Sequence, residues 1–194
     1  MLRETLAHQS STSSKVALIA VFTSMALATN YAMIDIPNVK LMDSFVFIAA
    51  FLFGIEVGLA TGTSIWLVYG FVNPNGIDTL LLLAFLMVGE CFYAIAGALL
   101  RRTASARRMM TNGYYAHSAI MMGTVGLLTT FAYDVLTNFG DKLQVISSPY
   151  QALIVGVITG VPFALTHEIS NIFFFGTIVP SAIFAAKRFG VEAV

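Results

Sequence analysis

The chain has 194 residues, of which 58% are hydrophobic and 10% are charged, and its mean hydropathy is +0.84. Soluble domains carry roughly 25% charged residues. This composition therefore predicts a membrane protein and excludes a soluble two-domain enzyme. Ten basic and ten acidic residues cancel, so the net charge gives no sign of a nucleic-acid partner. Cys91 is the single cysteine, which excludes a disulfide within the chain.

The first third of the chain predicts a tail, one helix and a helical hairpin. Residues 1–15 are polar and are expected to form a cytoplasmic tail, and residues 16–34 form the first apolar segment. The apolar run at 44–72 would make one helix of about 43 Å, which exceeds the roughly 30 Å of a bilayer core. A break at Gly54 would divide this run into two arms, with Asp43 and Ser44 capping the first arm.

Three more helical segments follow. Residues 79–100 and 115–137 each predict one membrane crossing. Ser148 followed by Pro149 is typical of a helix start. The last apolar run, 150–186, is about 55 Å long as a helix, so Pro162 is expected to interrupt it. On this interpretation residues 150–161 form a re-entrant or interfacial segment and residues 163–186 form the sixth span.

The basic residues predict the orientation, because loops rich in lysine and arginine lie on the cytoplasmic side. Lys15, the four-arginine stretch between residues 101 and 108, and Lys187 with Arg188 all fall on one side if the chain crosses six times. We therefore expect an all-α integral membrane protein, a six-transmembrane-helix bundle with both termini in the cytoplasm. Residues 16–188 form its single membrane domain, and residues 189–194 form a short cytoplasmic tail.

Ionisable and amide side chains within the spans are candidate site residues. A charged group at the bilayer centre costs about 2.5–3.5 kcal/mol, so its presence needs a reason. One interpretation is that these groups join helices by hydrogen bonds, and the other is that they face one cavity that opens outward. The set consists of Glu90, Asp134, Asn138, His167 and Asn171.

The predicted outer loops at 35–43, 73–78 and 139–149 would line the same cavity. They add Asn38, Asp43, Asn73 and Asp78 as candidate ligand contacts. Trp66 and Tyr69, near the outer end of the third crossing, are candidates for stacking on a flat ligand, and an interfacial aromatic belt explains them about as well.

The usual catalytic and metal-binding motifs are absent. The sequence contains no Gly-x-x-x-x-Gly-Lys-Ser/Thr phosphate loop and no His-Glu-x-x-His pair. Three histidines are spread along the chain, so we expect no metal site, no bound cofactor and no catalytic residue.

Small residues recur at every fourth position along the first helix. This pattern allows another helix to approach closely, and it equally fits packing within the bundle. The stripe consists of Ala20, Ser24, Ala28 and Ala32.

Taken together, these segments resemble the substrate-binding S components of energy-coupling factor (ECF) vitamin transporters over about residues 16–188. The order and spacing of several segments carry the resemblance. They are the alanine-striped first helix, Ile36-Pro37-Asn38, residues 49–54 with Gly58, Glu90 ahead of residues 97–102, residues 133–138, residues 160–163, and His167 with Asn171.

The resemblance implies a six-helix subunit in a prokaryotic cell membrane that captures a water-soluble vitamin or related molecule from outside. It implies that Phe163 contacts the substrate. It also implies partners, namely a transmembrane coupling subunit and two cytosolic ATPases, with Ala20, Ser24, Ala28 and Ala32 as the docking face. No nucleic-acid partner is expected.

The sequence departs from the riboflavin-binding members of this family at one segment. Those members tend to have Pro-Phe-Asn-Leu-x-Lys where this chain has Ala164 and His167 in place of the asparagine and the lysine. This difference argues against a flavin held through those two groups. Two other functions stay open, a small intramembrane enzyme using Glu90, Asp134 and His167, and an assembly subunit without a ligand.

Overall fold

The computed structural model describes residues 2–74, 76–103 and 115–190, and this part of the chain is helical without strands. It contains six helices, which are α1 (Leu2–Ala32), α2 (Met42–Phe53), α3 (Ile55–Val72), α4 (Leu80–Arg101), α5 (Tyr115–Leu143) and α6 (Pro149–Arg188). Five of them contain apolar segments long enough to cross a membrane, and α2 is a shorter apolar helix. The prediction of a helical membrane protein is confirmed. Arg107 and Arg108 lie outside the described residues.

The predicted hairpin between residues 44 and 72 is present. Gly54 separates α2 from α3 with φ of +98°, a backbone conformation that residues with a Cβ rarely adopt. The two helices then run back antiparallel, so that Gly58 lies against Ala50 and Gly62 lies against Val46. Glycine is required at position 58, because an added Cβ would lie only 2.4 Å from the Ala50 Cβ.

Helix α2 is the centre of the bundle. All of its residues from Met42 to Leu52 are buried, and it contacts α1, α3, α4 and α6. With 12 residues it is only about 18 Å long, well short of a bilayer core. Its first turn lies level with His167, deep along α6. Because α2 is short, residues 33–41 and a cavity lie beyond its first turn.

Helix α1 begins at Leu2, and the cytoplasmic location of residues 1–15 stays a prediction. Two other sequence expectations are wrong. Asp43 does not cap α2, since the helix begins at Met42 without a side-chain cap and Asp43 points into the core instead. Helix α6 continues through Pro162 without a break. The predicted start of α6 is confirmed, because Ser148 accepts a hydrogen bond from the Gln151 backbone N–H and Pro149 follows it.

Proline is tolerated inside α6 for a local reason. It removes one backbone donor, and neighbouring helices and hydroxyl side chains satisfy the freed groups in membrane helices. Pro162 deprives only the Ile158 carbonyl oxygen of its backbone donor, and α6 continues on both sides of it. Because α6 has 40 residues, it is about 60 Å long and reaches beyond a bilayer core. The membrane depth of residues 150–161 stays a prediction.

Candidate functional site

A cavity of about 330 Å³ lies where α1, α3 and α4 meet the segment that joins α1 to α2. It falls within the range of small-molecule sites, which is about 300–1,000 Å³. Its walls combine aromatic, amide and charged side chains with a few aliphatic ones. The polar and aromatic members are Asn30, Asn38, Lys40, Trp66, Tyr69, Asn73, Asp78 and Phe163.

The aromatic wall is fixed by packing between rings. Trp66 and Tyr69 are buried on α3, with ring centroids 5.7 Å apart in an edge-to-face arrangement. Tyr31 of α1 packs edge-to-face on Tyr69 at 5.8 Å. Such pairs add stability beyond their buried area, so these rings are held in place before any ligand arrives.

The segment between α1 and α2 covers one side of the cavity. Asn38 adopts a left-handed backbone conformation with φ of +58°, which asparagine tolerates better than most residues. Its side-chain amide donates to the Phe163 carbonyl oxygen on α6 over 2.9 Å. One exposed hydrogen bond therefore ties this segment across the cavity to α6.

Several polar atoms in the cavity wall have no hydrogen-bond partner among the described residues. They are Asn30 Nδ2, Trp66 Nε1 and one carboxylate oxygen of Asp78. Buried polar groups are satisfied in the great majority of cases. These three atoms are themselves buried, and only weak contacts, of Asn30 with Tyr69 and of Trp66 with the Glu90 carboxyl, face two of them.

Asp78 lies in the segment between α3 and α4. Its backbone N–H donates to the Gly70 carbonyl oxygen over 2.9 Å, which folds this segment back against the end of α3. Partial burial raises the pKa of the Asp78 carboxyl above its ordinary value of 3.8, and the nearby Lys40 ammonium opposes the shift.

A second polar group, the His167 cluster, lies deeper in the bundle and joins four helices. His167 of α6 contacts Asp43 of α2 through Nε2 at 2.7 Å and Asp134 of α5 through Nδ1 at 2.9 Å. A carboxylate oxygen only accepts hydrogen bonds. The geometry therefore fits an imidazole that donates from both ring nitrogens.

Asn171 extends the His167 cluster by one helical turn. Its side-chain amide donates to Asp43 over 2.7 Å and to the Thr130 hydroxyl over 2.8 Å. The Tyr93 hydroxyl of α4 donates to the same Thr130 oxygen over 3.0 Å. Because these side chains are buried, their mutual hydrogen bonds compensate for the loss of water.

Glu90 lies between the cavity and the His167 cluster. It is fully buried on α4, packs against Gly62 of α3, and neither of its carboxylate oxygens has a hydrogen-bond partner in the described part of the chain. Leu86, one helical turn away on α4, lines the cavity. Glu90 therefore lies about one helical turn beneath the cavity floor.

The expectation that one cavity gathers all the candidate residues is wrong. Half of them line the cavity, namely Asn38, Trp66, Tyr69, Asn73, Asp78 and Phe163. The other half do not line it. Asp43, Asp134, His167 and Asn171 belong to the His167 cluster, Glu90 lies beneath the floor, and Asn138 packs against Gly156 and Gly160 of α6.

Two cavity residues escape the sequence prediction. In the sequence, Lys40 is notable only as a basic residue on the predicted outer side. Asn30 lies within an otherwise apolar helix. A signal for Asn30 exists in the periodicity of α1. Thr23, Ala26 and Asn30 are spaced three and four residues apart and are all buried, on the face opposite the small-residue stripe.

The small-residue stripe of α1 does not pack within the bundle. Helix α1 contacts only α2 and α3 extensively, and all four stripe residues are exposed, which are Ala20, Ser24, Ala28 and Ala32.

No protein-family model, curated protein or solved structure matches this chain.

Proposed function

We propose that this chain is the membrane-embedded substrate-binding subunit of an ATP-driven importer of the ECF type. It captures a water-soluble vitamin or related small molecule in the cavity bounded by α1, α3, α4 and Asn38. The observation that carries the proposal is the cavity itself. It has the volume of a small-molecule site, and aromatic, amide and charged side chains line it.

The position of the cavity supports capture from outside. It lies at the bundle end that carries residues 33–41 and 73–79, whereas Arg101 and Arg102 lie at the opposite end. Arginine-rich ends face the cytoplasm. The cavity then opens toward the exterior of a prokaryotic cell, where a nutrient arrives.

The exposed stripe on α1 supports docking on a coupling subunit. Ala20, Ser24, Ala28 and Ala32 present a nearly flat surface on a helix that the bundle leaves uncovered, and such surfaces allow close helix–helix contact in membranes. Two cytosolic ATPases bound to the coupling subunit would supply the ATP hydrolysis for which this chain has no phosphate loop.

Mass spectrometry of small molecules that co-purify with the protein tests the proposal. The wild type should carry one compound near one-to-one. The double variant Asn30→Ala, Asp78→Ala should lose the compound and still unfold cooperatively on heating. Thr124→Ala is the matched control, because Thr124 is exposed and its hydroxyl bonds only to its own helix. An empty wild type that shows no thermal shift with a vitamin panel contradicts the proposal.

The docking claim has a separate test. Ala28→Trp should abolish uptake in cells that express the coupling subunit and ATPases, while it leaves binding of the co-purified compound unchanged. Leu128→Trp, exposed on α5 and not on α1, is the control. Equal loss of binding and uptake in Ala28→Trp would mean that the stripe supports the fold and not a partner.

An intramembrane enzyme is the second candidate, and the His167 cluster favours it. Two carboxylates in contact with one imidazole can move protons. However, His167 is fully buried and does not line the cavity, so a substrate there would not reach it. The enzyme proposal requires turnover by the purified chain without ATPases, and that turnover must disappear in Asp134→Asn.

A further inference from the structure

One acidic and one basic side chain line the cavity beside its aromatic wall. Asp78 lines it, with one carboxylate oxygen unpartnered, and the unpartnered carboxyl of Glu90 lies one turn beneath it. Lys40 is the basic side chain among the lining residues. It makes no ion pair with either carboxyl within the described part of the chain.

Lys40 occupies a particular position on this wall. Its ammonium nitrogen lies 5.2 Å from the centroid of the Trp66 ring, a separation at which a cation is attracted to the face of an indole. The Asp78 carboxyl in the same cavity wall strengthens this preference for positive charge. Lys40 has a long, flexible side chain that is partly exposed to solvent. A ligand can therefore displace it easily.

We infer that the Trp66 face and Asp78 form a site for an organic cation, specifically a flat, positively charged nitrogen heterocycle, and that Lys40 occupies this site until the ligand displaces it. The inference rests on the proposed function and specifies its substrate class. A planar cation stacks on the Trp66 ring, where the Lys40 ammonium otherwise lies. Ring N–H or amino groups of this ligand donate hydrogen bonds to the Asp78 carboxylate.

Lys40 then sets specificity by competition. A cationic ligand releases the ammonium into water, whereas a neutral or anionic ligand leaves Lys40 on the ring and finds the stacking surface occupied. Removal of Lys40 should therefore tighten the binding of a cation. If the natural ligand were an anion that pairs with Lys40, the same substitution would weaken binding. The sign of the effect separates the two cases.

Trp66 is the single tryptophan of the chain, so its fluorescence reports on this site alone. We would titrate the protein, in an uncharged detergent, with three probes of similar shape. They are 1-methylnicotinamide, a cation; nicotinamide, which is neutral; and nicotinate, an anion. Saturable quenching marks binding on the ring, and linear quenching marks random collision.

The cation should quench saturably and bind about tenfold more tightly than the neutral probe, the scale of one desolvated cation–aromatic contact. Lys40→Ala should strengthen cation binding, and Asp78→Asn should weaken it several-fold. Lys142→Ala is the matched control, because Lys142 pairs with its neighbour Asp141 and does not line the cavity. This control should leave the titration unchanged.

Other outcomes overturn the inference in distinguishable ways. Equal binding of the cation and the neutral probe, or saturable binding of nicotinate that Lys40→Ala abolishes, overturns the cation preference and leaves a ligand-binding subunit intact. Absence of saturable quenching by all three probes, in the wild type and in Lys40→Ala, also overturns it. In that case the co-purification experiment decides the proposed function independently.

Discussion

Two buried asparagines show how the cavity and the His167 cluster differ. Asn171 is 0% exposed, and its amide nitrogen donates to Asp43 and Thr130. Asn30 is 3% exposed, and its amide nitrogen has no partner within the described residues. Both have left water. The Asn171 nitrogen makes two short hydrogen bonds in exchange, whereas the Asn171 oxygen and the Asn30 nitrogen have no well-aligned partner among the described residues. Satisfied polar groups stabilise a fold, whereas unsatisfied groups on a cavity wall are available to a ligand.

The largest expected effect is on the stability of the His167 cluster. His167→Ala leaves Asp43 and Asp134 buried without the imidazole between them. Loss of one partner from a buried charged group costs about 3–5 kcal/mol, so the variant should unfold at much lower temperature or denaturant concentration. His117→Ala is the control, because His117 is exposed and surface changes stay within about 0.5 kcal/mol. Similar stabilities for the two variants would mean that the cluster does not support the fold.

The two asparagines give the next prediction. Asn171→Ala removes two short hydrogen bonds and leaves the Thr130 hydroxyl and Asp43 short of a donor, at a cost of about 1–3 kcal/mol in unfolding free energy. Asn30→Ala removes an amide nitrogen without a partner, so it should change stability less and ligand binding more. Equilibrium unfolding and ligand titration of both variants check this. A larger loss of unfolding free energy in Asn30→Ala than in Asn171→Ala would contradict the difference drawn between the two asparagines.

A smaller effect is expected at Asn38. Asn38→Gly keeps a left-handed backbone accessible and removes the hydrogen bond to the Phe163 carbonyl. The covering segment should then open more readily, so the ligand should dissociate faster while the melting temperature changes little. Asn38→Ala adds backbone strain at φ of +58° and should be less stable than Asn38→Gly. Unchanged dissociation in Asn38→Gly would exclude this segment as a cover.

The smallest effect is the pH dependence contributed by Asp78. Burial raises its pKa in the folded protein, so the folded state holds this proton more tightly than the unfolded chain does. The contribution to stability is therefore present below the ordinary pKa of 3.8 and is lost as the pH rises through the raised value. Melting temperatures of the wild type and Asp78→Asn, compared across this range, should differ in slope. Parallel curves of melting temperature against pH would contradict the raised pKa of Asp78.

The helical framework was predictable because local chemistry determines it. Gly54 marks the hairpin turn, and Ser148 with Pro149 marks the start of α6. Part of the cavity was also predictable, since Trp66, Tyr69 and the loop residues Asn73 and Asp78 lie near helix ends that must meet. These features depend on a few neighbouring residues and on the helical repeat.

The division of the polar residues into two sites was not predictable. Asp43 has the sequence position of a helix cap, yet its partner His167 is 124 positions away. Helical spacing places a residue on a face and does not specify which distant side chain completes its hydrogen bonds. Pro162 failed as a helix break for a related reason, because it lies within a long helix that packs along α5.

Calorimetric titration of the co-purified compound into ligand-free protein tests most directly the claim that the cavity binds ligand and the His167 cluster holds the fold. We expect one site per chain in the wild type, loss of binding in a folded Asn30→Ala, Asp78→Asn variant, and retained binding in a folded Asp134→Asn variant. Retained binding in the cavity variant together with lost binding in Asp134→Asn would contradict the claim and place the ligand at the His167 cluster.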